Sequence, residues 1–255
     1  MATRSKQTKP LKGCNCIYCL KAPAETGDHV PAKALFPESR PSNLITVPSC
    51  LKCNSGFKQD EDYFLSILSF SDAGVSPVGK HFWQHKYHRM YQKDLGLKNA
   101  LCQCFEQIQL PTSNGKSETR LAINLQTNRI NAVIRKVCRG LYYFECNEPL
   151  PVNLSIKVHR IKTKEELKVF NADMKAGSRG WPGVFEYRWN RVATEPALSK
   201  WLLLFHGAMP WAAITYPPGR FSTQAWNPIA RIWKQFLRLK AEWKCLTSAS
   251  AGGRQ

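Results

Sequence analysis

Apolar positions along the chain change their period several times, and each change marks an expected element. From Gln59 to Phe70 they recur at helical spacing, and the turn-rich run Ser71 to Gly79 ends that pattern. A second helix, basic and aromatic, is expected over Lys80 to Lys93. Arg120 to Gln126 alternates as a strand does. Asn128 to Glu145 then returns to the helical period, with Arg135, Lys136 and Arg139 interleaved among the apolar positions. Val152 to His159 reads as a strand, and Thr163 with Glu166 forms a capping box that starts a helix reaching about Lys175. Val184 to Val192, Lys200 to His206 and Trp211 to Tyr216 are rich in aromatic and β-branched residues between turns, the pattern of antiparallel strands. Asn227 and Pro228 open a last helix to about Lys244, with Ile229, Ile232, Trp233, Phe236 and Leu237 on one face. Helices beside antiparallel strands predict an α+β fold. The break near residues 71–79 predicts two parts, 1–75 and 76–255.

With 255 residues and 43% hydrophobic composition, the chain is long enough to bury a core. Its 37 Lys and Arg against 18 Asp and Glu leave a formal charge of +19, which points to a polyanionic partner such as nucleic acid. The charge is uneven. Residues 1–75 hold nine basic against seven acidic side chains, so the remainder carries 28 against 11. An N-terminal part that supplies metal ligands, followed by a basic part that grips phosphates, is the division this suggests. No apolar run reaches the length of about eighteen residues that a membrane helix needs; the longest, Trp201 to Tyr216, is broken by His206, Gly207 and Pro210. Met1 to Lys12 is polar and basic rather than a signal peptide. Ten cysteines without a secretion signal suit a reducing compartment, so a cytoplasmic location is expected and paired cysteines read as metal ligands.

Two such pairs stand out. Cys16-Ile-Tyr-Cys19 and Cys50-Leu-Lys-Cys53 are separated by thirty residues, a spacing that lets four thiolates close a tetrahedral structural zinc site with no open position. Cys14 also has permitted knuckle spacing to Cys19 and stays an alternative to Cys16, which is preferred. In a module this small, metal binding is expected to supply a large part of the folding free energy.

Between the knuckles lie Gly27-Asp28-His29-Val30-Pro31 and Asn43-Leu44-Ile45, and Asn54 directly follows the last cysteine, with Lys58 four residues on. This succession resembles the HNH endonuclease family over about a quarter of the chain. The resemblance implies a ββα-metal module, built of a hairpin and a helix that grip one divalent ion, in the zinc-clamped first part. A basic mixed α/β region with antiparallel strands would follow. In that family pattern His29 would be the general base that takes a proton from the attacking water, suited by an imidazole pKa near neutrality. Asp28 and Asn54 would hold the divalent ion, and Asn43 would pin the loop so that His29 points at the phosphate. Asn54 stands where many members carry His, giving a His-Asn-Asn pattern. A carboxylate and an amide oxygen form a hard donor pair, so Mg²⁺ or Mn²⁺ is the expected ion. The implied substrate is DNA, double-stranded, cut to 5′-phosphate and 3′-hydroxyl ends. Lys58 and Lys52 beside the motif, with Arg135, Lys136 and Arg139 on the later helix, are expected to contact nucleic-acid phosphates. The alternatives are a zinc-containing protein that binds nucleic acid without cutting it, and an RNA-cleaving nuclease.

Other signals carry less. Gly74-x4-Gly79-Lys80 is a poor phosphate-binding loop, because His81 occupies the position that needs a hydroxyl and an apolar helix precedes it. His81, His85 and His88 share helical spacing. Interleaved with Phe82, Trp83, Lys86, Tyr87 and Arg89, they suit a helix against nucleic acid better than a metal site. Cys102, Cys104, Cys138, Cys146 and Cys245 read as core thiols.

Overall fold

A computed structural model describes residues 13–218, apart from 39, 73–75 and 113–114. The expected basic arm before residue 13, most of the glycine loop at 74, the last helix from Asn227 to Lys244, and Cys245 lie outside the described residues.

The chain opens with strand β1 (Thr26–His29), a short 3-10 turn (Lys33–Leu35), strand β2 (Thr46–Ser49), and helices α1 (Leu51–Gly56) and α2 (Lys58–Asp72). β1 and β2 pair antiparallel, with Asp28 opposite Val47 and His29 opposite Thr46. Helix α1 starts where it does because the Cys50 sulfur accepts a hydrogen bond from the Cys53 N–H, capping the first turn. Helix α2 carries Asp60 and Glu61 in its first turn, where the helix dipole favours negative charge. It buries Tyr63, Phe64, Leu65, Ile67 and Leu68.

The helix expected over 80–93 forms as an unbroken helical run of α3 (Pro77–Phe82), a π turn (Trp83–Tyr87) and α4 (His88–Lys93). Helix α5 (Leu95–Cys102) and the hairpin of β3 (Phe105–Pro111) and β4 (Ser117–Ile123) follow. Strand β4 overlaps only the first part of the strand expected over 120–126. Cys102 proves exposed, so its reading as a core thiol is corrected, whereas Cys104 and Cys138 are buried and Cys146 is half-buried.

The twenty-residue helix α6 (Thr127–Cys146) buries Ile130, Val133, Ile134, Val137 and Leu141 along one stripe. It ends at Asn147, whose left-handed backbone (φ 62°) suits an Asn cap. Strand β5 (Ser155–Arg160), helix α7 (Lys164–Asn171), and strands β6 (Lys175–Ala176), β7 (Phe185–Val192), β8 (Glu195–Phe205) and β9 (Met209–Tyr216) complete the described chain. The five strands form one antiparallel sheet in the order β5-β9-β8-β7-β6. Thr163 caps α7 by accepting from the Glu166 N–H, as the capping box predicts.

Alternation along β8 sends Trp201, Leu203 and Phe205 to the core shared with α2 and α6, while Leu202 joins Phe170 and Met174 under α7. The fold is mixed α+β with antiparallel sheets, layered as α7, sheet, then α2 and α6. Its main core runs unbroken from Cys16 to Ala213 across the boundary expected near residue 75. Phe64 of α2 packs edge-on to Phe205, 5.0 Å between centroids, and Phe36 packs likewise on Trp181.

Candidate metal centre and the Asp28 cluster

The first knuckle is a tight loop. The Cys16 N–H donates to Ala22 O, the Leu20 N–H donates to Cys16 O, and Leu20 adopts a left-handed backbone (φ 57°). Ile17 N–H donates to Pro48 O, tying this loop to β2 just before Cys50. The result is that the ligand atoms of Cys16, Cys19, Cys50 and Cys53 all lie within 4.8 Å of one another, so these four sulfurs could hold one metal ion. Cys14 is not in the group, which decides between the two spacings in favour of Cys16. N–H groups of Ala22 and Lys21 hold the Cys19 thiol down to about 6, while burial and the neighbouring Cys50 and Cys16 sulfurs push Cys53 up. Four sulfurs this close need a cation to be thiolate together.

On β1, alternation turns Thr26 and Asp28 to one face and His29 to the other. Asp28 is only 5% exposed. Its Oδ2 accepts from the Tyr18 hydroxyl at 2.6 Å and lies 2.9 Å from Lys136 Nζ, which also reaches Oδ1 at 3.1 Å. The same ammonium meets Glu61 Oε1 at 2.5 Å and sits over the rings of Phe57 and Tyr18. Burial raises the Glu61 carboxyl, opposed by Lys136, and burial with Asp28 beside it holds the Tyr18 hydroxyl well above its ordinary value.

Two expectations change here. Lys136 is 2% exposed and is not available to a phosphate. Both Asp28 oxygens accept from protein donors, so in this arrangement a divalent ion on Asp28 would have to displace the Lys136 ammonium. Neither Tyr18 nor Glu61 emerged as a site residue from the sequence. Lys136 stands three residues after Val133 and four before Gly140, at the edge of the apolar stripe of α6; that position was the available signal of its burial.

Asn54, on α1, donates from Nδ2 to Thr26 Oγ1 at 3.0 Å and so joins the helix to β1 two residues before Asp28. Half-buried His29 ends β1. Burial, with Lys33 nearby, pushes its pKa down against the pull of Asp28, which keeps the imidazole neutral near pH 7. Asn43 is anchored to a later segment of the chain: its Oδ1 accepts from Trp181 Nε1 at 3.2 Å and its carbonyl from Arg179 at 2.8 Å. No family model, curated protein or solved structure matches this chain.

Lys52 and Lys58 are exposed, the latter paired with Asp62 at 2.8 Å. Arg135 donates to Ile156 O, and Arg139 to Leu150 O and Pro151 O. Together with Lys157 these two arginines line an open groove of about 470 Å³ between α6 and β5. Among the described residues no helix is long and apolar enough to cross a membrane. What the cluster offers chemically is a neutral imidazole at a strand end, beside a sealed carboxylate–ammonium network and a thiol group able to hold a metal.

Proposed function

We propose that the chain is an HNH-type endonuclease that hydrolyses DNA phosphodiester bonds, with His29 as general base on a scaffold stiffened by zinc at Cys16, Cys19, Cys50 and Cys53. A tetrahedral Zn²⁺ with bonds of about 2.3 Å would space four sulfurs by roughly 3.8 Å, which suits a group gathered within 4.8 Å. The observation that carries the nuclease reading is the Asn54–Thr26 hydrogen bond. It links the residue after the second knuckle to the strand ending in Asp28-His29, within a strand–strand–helix succession. His29, neutral at pH 7, would accept a proton from water, and the exposed basic side chains would hold the substrate backbone. While Lys136 remains on Asp28, Mg²⁺ or Mn²⁺ gains no oxygen there, so the ion expected from the resemblance requires Lys136 to withdraw.

That buried pair favours a second reading, a zinc-containing protein that binds nucleic acid without cutting it, with Lys136 permanently in place of an ion. Incubation of supercoiled plasmid, linear duplex and RNA with the protein in Mg²⁺, Mn²⁺ or EDTA separates the two. The nuclease reading expects divalent-dependent cutting of DNA, slowed about 100-fold or more in His29→Ala with binding unchanged. Absence of cutting in every ion leaves the binding protein, and cutting of RNA alone moves the substrate.

A further inference from the structure

A second cluster of charge lies beyond the loop that follows His29. Phe36 and Pro37 from that loop meet α3, the π turn and α4 around a cavity of about 280 Å³. Arg40, His81, His85, Lys86, Arg89 and Lys93 line it, against the single carboxylate of Glu38. Lys86 is fixed there: its Nζ donates to Ala34 O at 2.7 Å and lies 5.1 Å from the centre of the Phe82 ring. Arg89 is turned back on the helix, its Nε and one terminal nitrogen donating to His85 O. Four permanent cations gathered around one concave space repel one another unless an anion joins them. The imidazoles of His81 and His85, with ring centroids 4.7 Å apart, have the spacing of a metal pair. Yet among the described residues no third ligand group joins them, and four neighbouring cations oppose a metal ion.

We infer that this pocket binds a backbone phosphate of a nucleic-acid strand, with Arg40, Arg89 and Lys93 as the charged contacts and His81 and His85 as hydrogen-bonding partners. That the phosphate belongs to a strand rests on the proposed action on nucleic acid. Placement agrees with it. Phe36 is seven residues from His29, hence no farther than about 25 Å, inside one duplex turn of about 34 Å. A strand held in the pocket would therefore have the reach to meet His29. Burial lowers the Lys86 pKa, with Arg40 adding to the effect and Asp62 and Glu38 opposing it.

The test is anisotropy of a labelled 20-base-pair duplex in EDTA over a range of salt. It compares the full-length protein with the triple variant Arg40→Gln, Arg89→Gln, Lys93→Gln, all exposed positions. A charge-matched control, Lys162→Gln, Lys164→Gln, Lys168→Gln around α7, removes three equally exposed positive charges on the opposite side of the sheet. The pocket variant should bind about 10-fold more weakly, with a salt slope shallower by roughly one for each phosphate lost, and the control should change less than about 2-fold. Equal losses in both, or none in either, overturn the assignment. If inorganic phosphate binds the parent and not the pocket variant while duplex affinity is the same for both, the pocket serves a free phosphate compound and the strand assignment falls. Because binding is read without divalent ions and with His29 intact, failure of the nuclease reading would not move this result.

Discussion

Asp28, Glu61 and Lys136 leave water together, and removing Lys136 strands both carboxylates. Lys136 joins residues 75 and 108 positions away in the chain through contacts of 2.5 to 3.1 Å. Deleting one partner of such a buried network costs about 3–5 kcal/mol, because the remaining charge keeps its desolvation penalty. Lys136→Met should therefore lower stability by that order in EDTA. It should also leave two carboxylates facing a space that a small divalent cation can occupy. Thermal unfolding with and without Mn²⁺ tests this directly: the variant should gain several degrees on adding the ion and the parent almost nothing. A variant as indifferent to Mn²⁺ as the parent would mean that Asp28 and Glu61 are not a cation site, even when vacant. Tyr18→Phe is the milder probe, since it takes away the 2.6 Å hydroxyl bond and leaves the ion pair, at a cost of about 1–3 kcal/mol.

Helix α6 delivers Lys136 because it approaches the chain just after β1 without an intervening side chain. A Cβ on Gly140 would lie 2.4 Å from Val30 Cγ2 and 2.8 Å from Cγ1, so Gly140→Ala should force the helix away and cost about 1–3 kcal/mol. The same shift should loosen the Lys136 pair and leave the thiol cluster unmoved. Element by element, the long apolar periods were legible: α2, α6 and β7 to β9 fall where the pattern predicts them, because each buries one face or stripe. Helix α5 and strand β3 were not. Strand β3 lies in a two-stranded hairpin with most side chains in solvent, which leaves no apolar alternation to read. The four cysteines were legible from spacing alone, whereas the partner of Asp28 was not, since nothing local connects position 28 to position 136. Metal removal separates the elements further. Chelation should erase amide-exchange protection in the knuckle, β1, β2 and α1. The sheet β5 to β9 should keep its own, because it holds its core through α2 and α6 rather than through sulfur. Loss of protection everywhere at once would show that the metal supports the whole core.

Across the whole molecule, buried side chains before and after residue 75 join in one core, and His206 marks a place where they meet. It sits in the turn between β8 and β9, fully buried, with Nε2 3.3 Å from Leu35 O and its ring stacked 5.3 Å from Phe82. One side chain thus touches the loop after β1, helix α3 and the sheet. Burial, reinforced by the charge of Lys86, lowers its pKa to about 4, against an ordinary 6.5. Between those two values the unfolded chain takes up a proton that the folded chain refuses, so folding stability falls as pH drops through that window and levels off below it. The difference corresponds to roughly 3 kcal/mol lost between pH 7 and pH 4. Asn at 206 tolerates the left-handed backbone (φ 48°) and does not titrate, so His206→Asn removes this dependence without adding backbone strain. Urea unfolding of parent and variant at pH 7, 5.5 and 4.5 isolates the effect, since every other titrating group is common to both. The parent should be the more stable at pH 7, and its advantage should shrink steadily towards pH 4.5. An advantage that stays constant over the range would mean that His206 takes its proton without unfolding the junction, and that acid does not loosen the two parts from each other there.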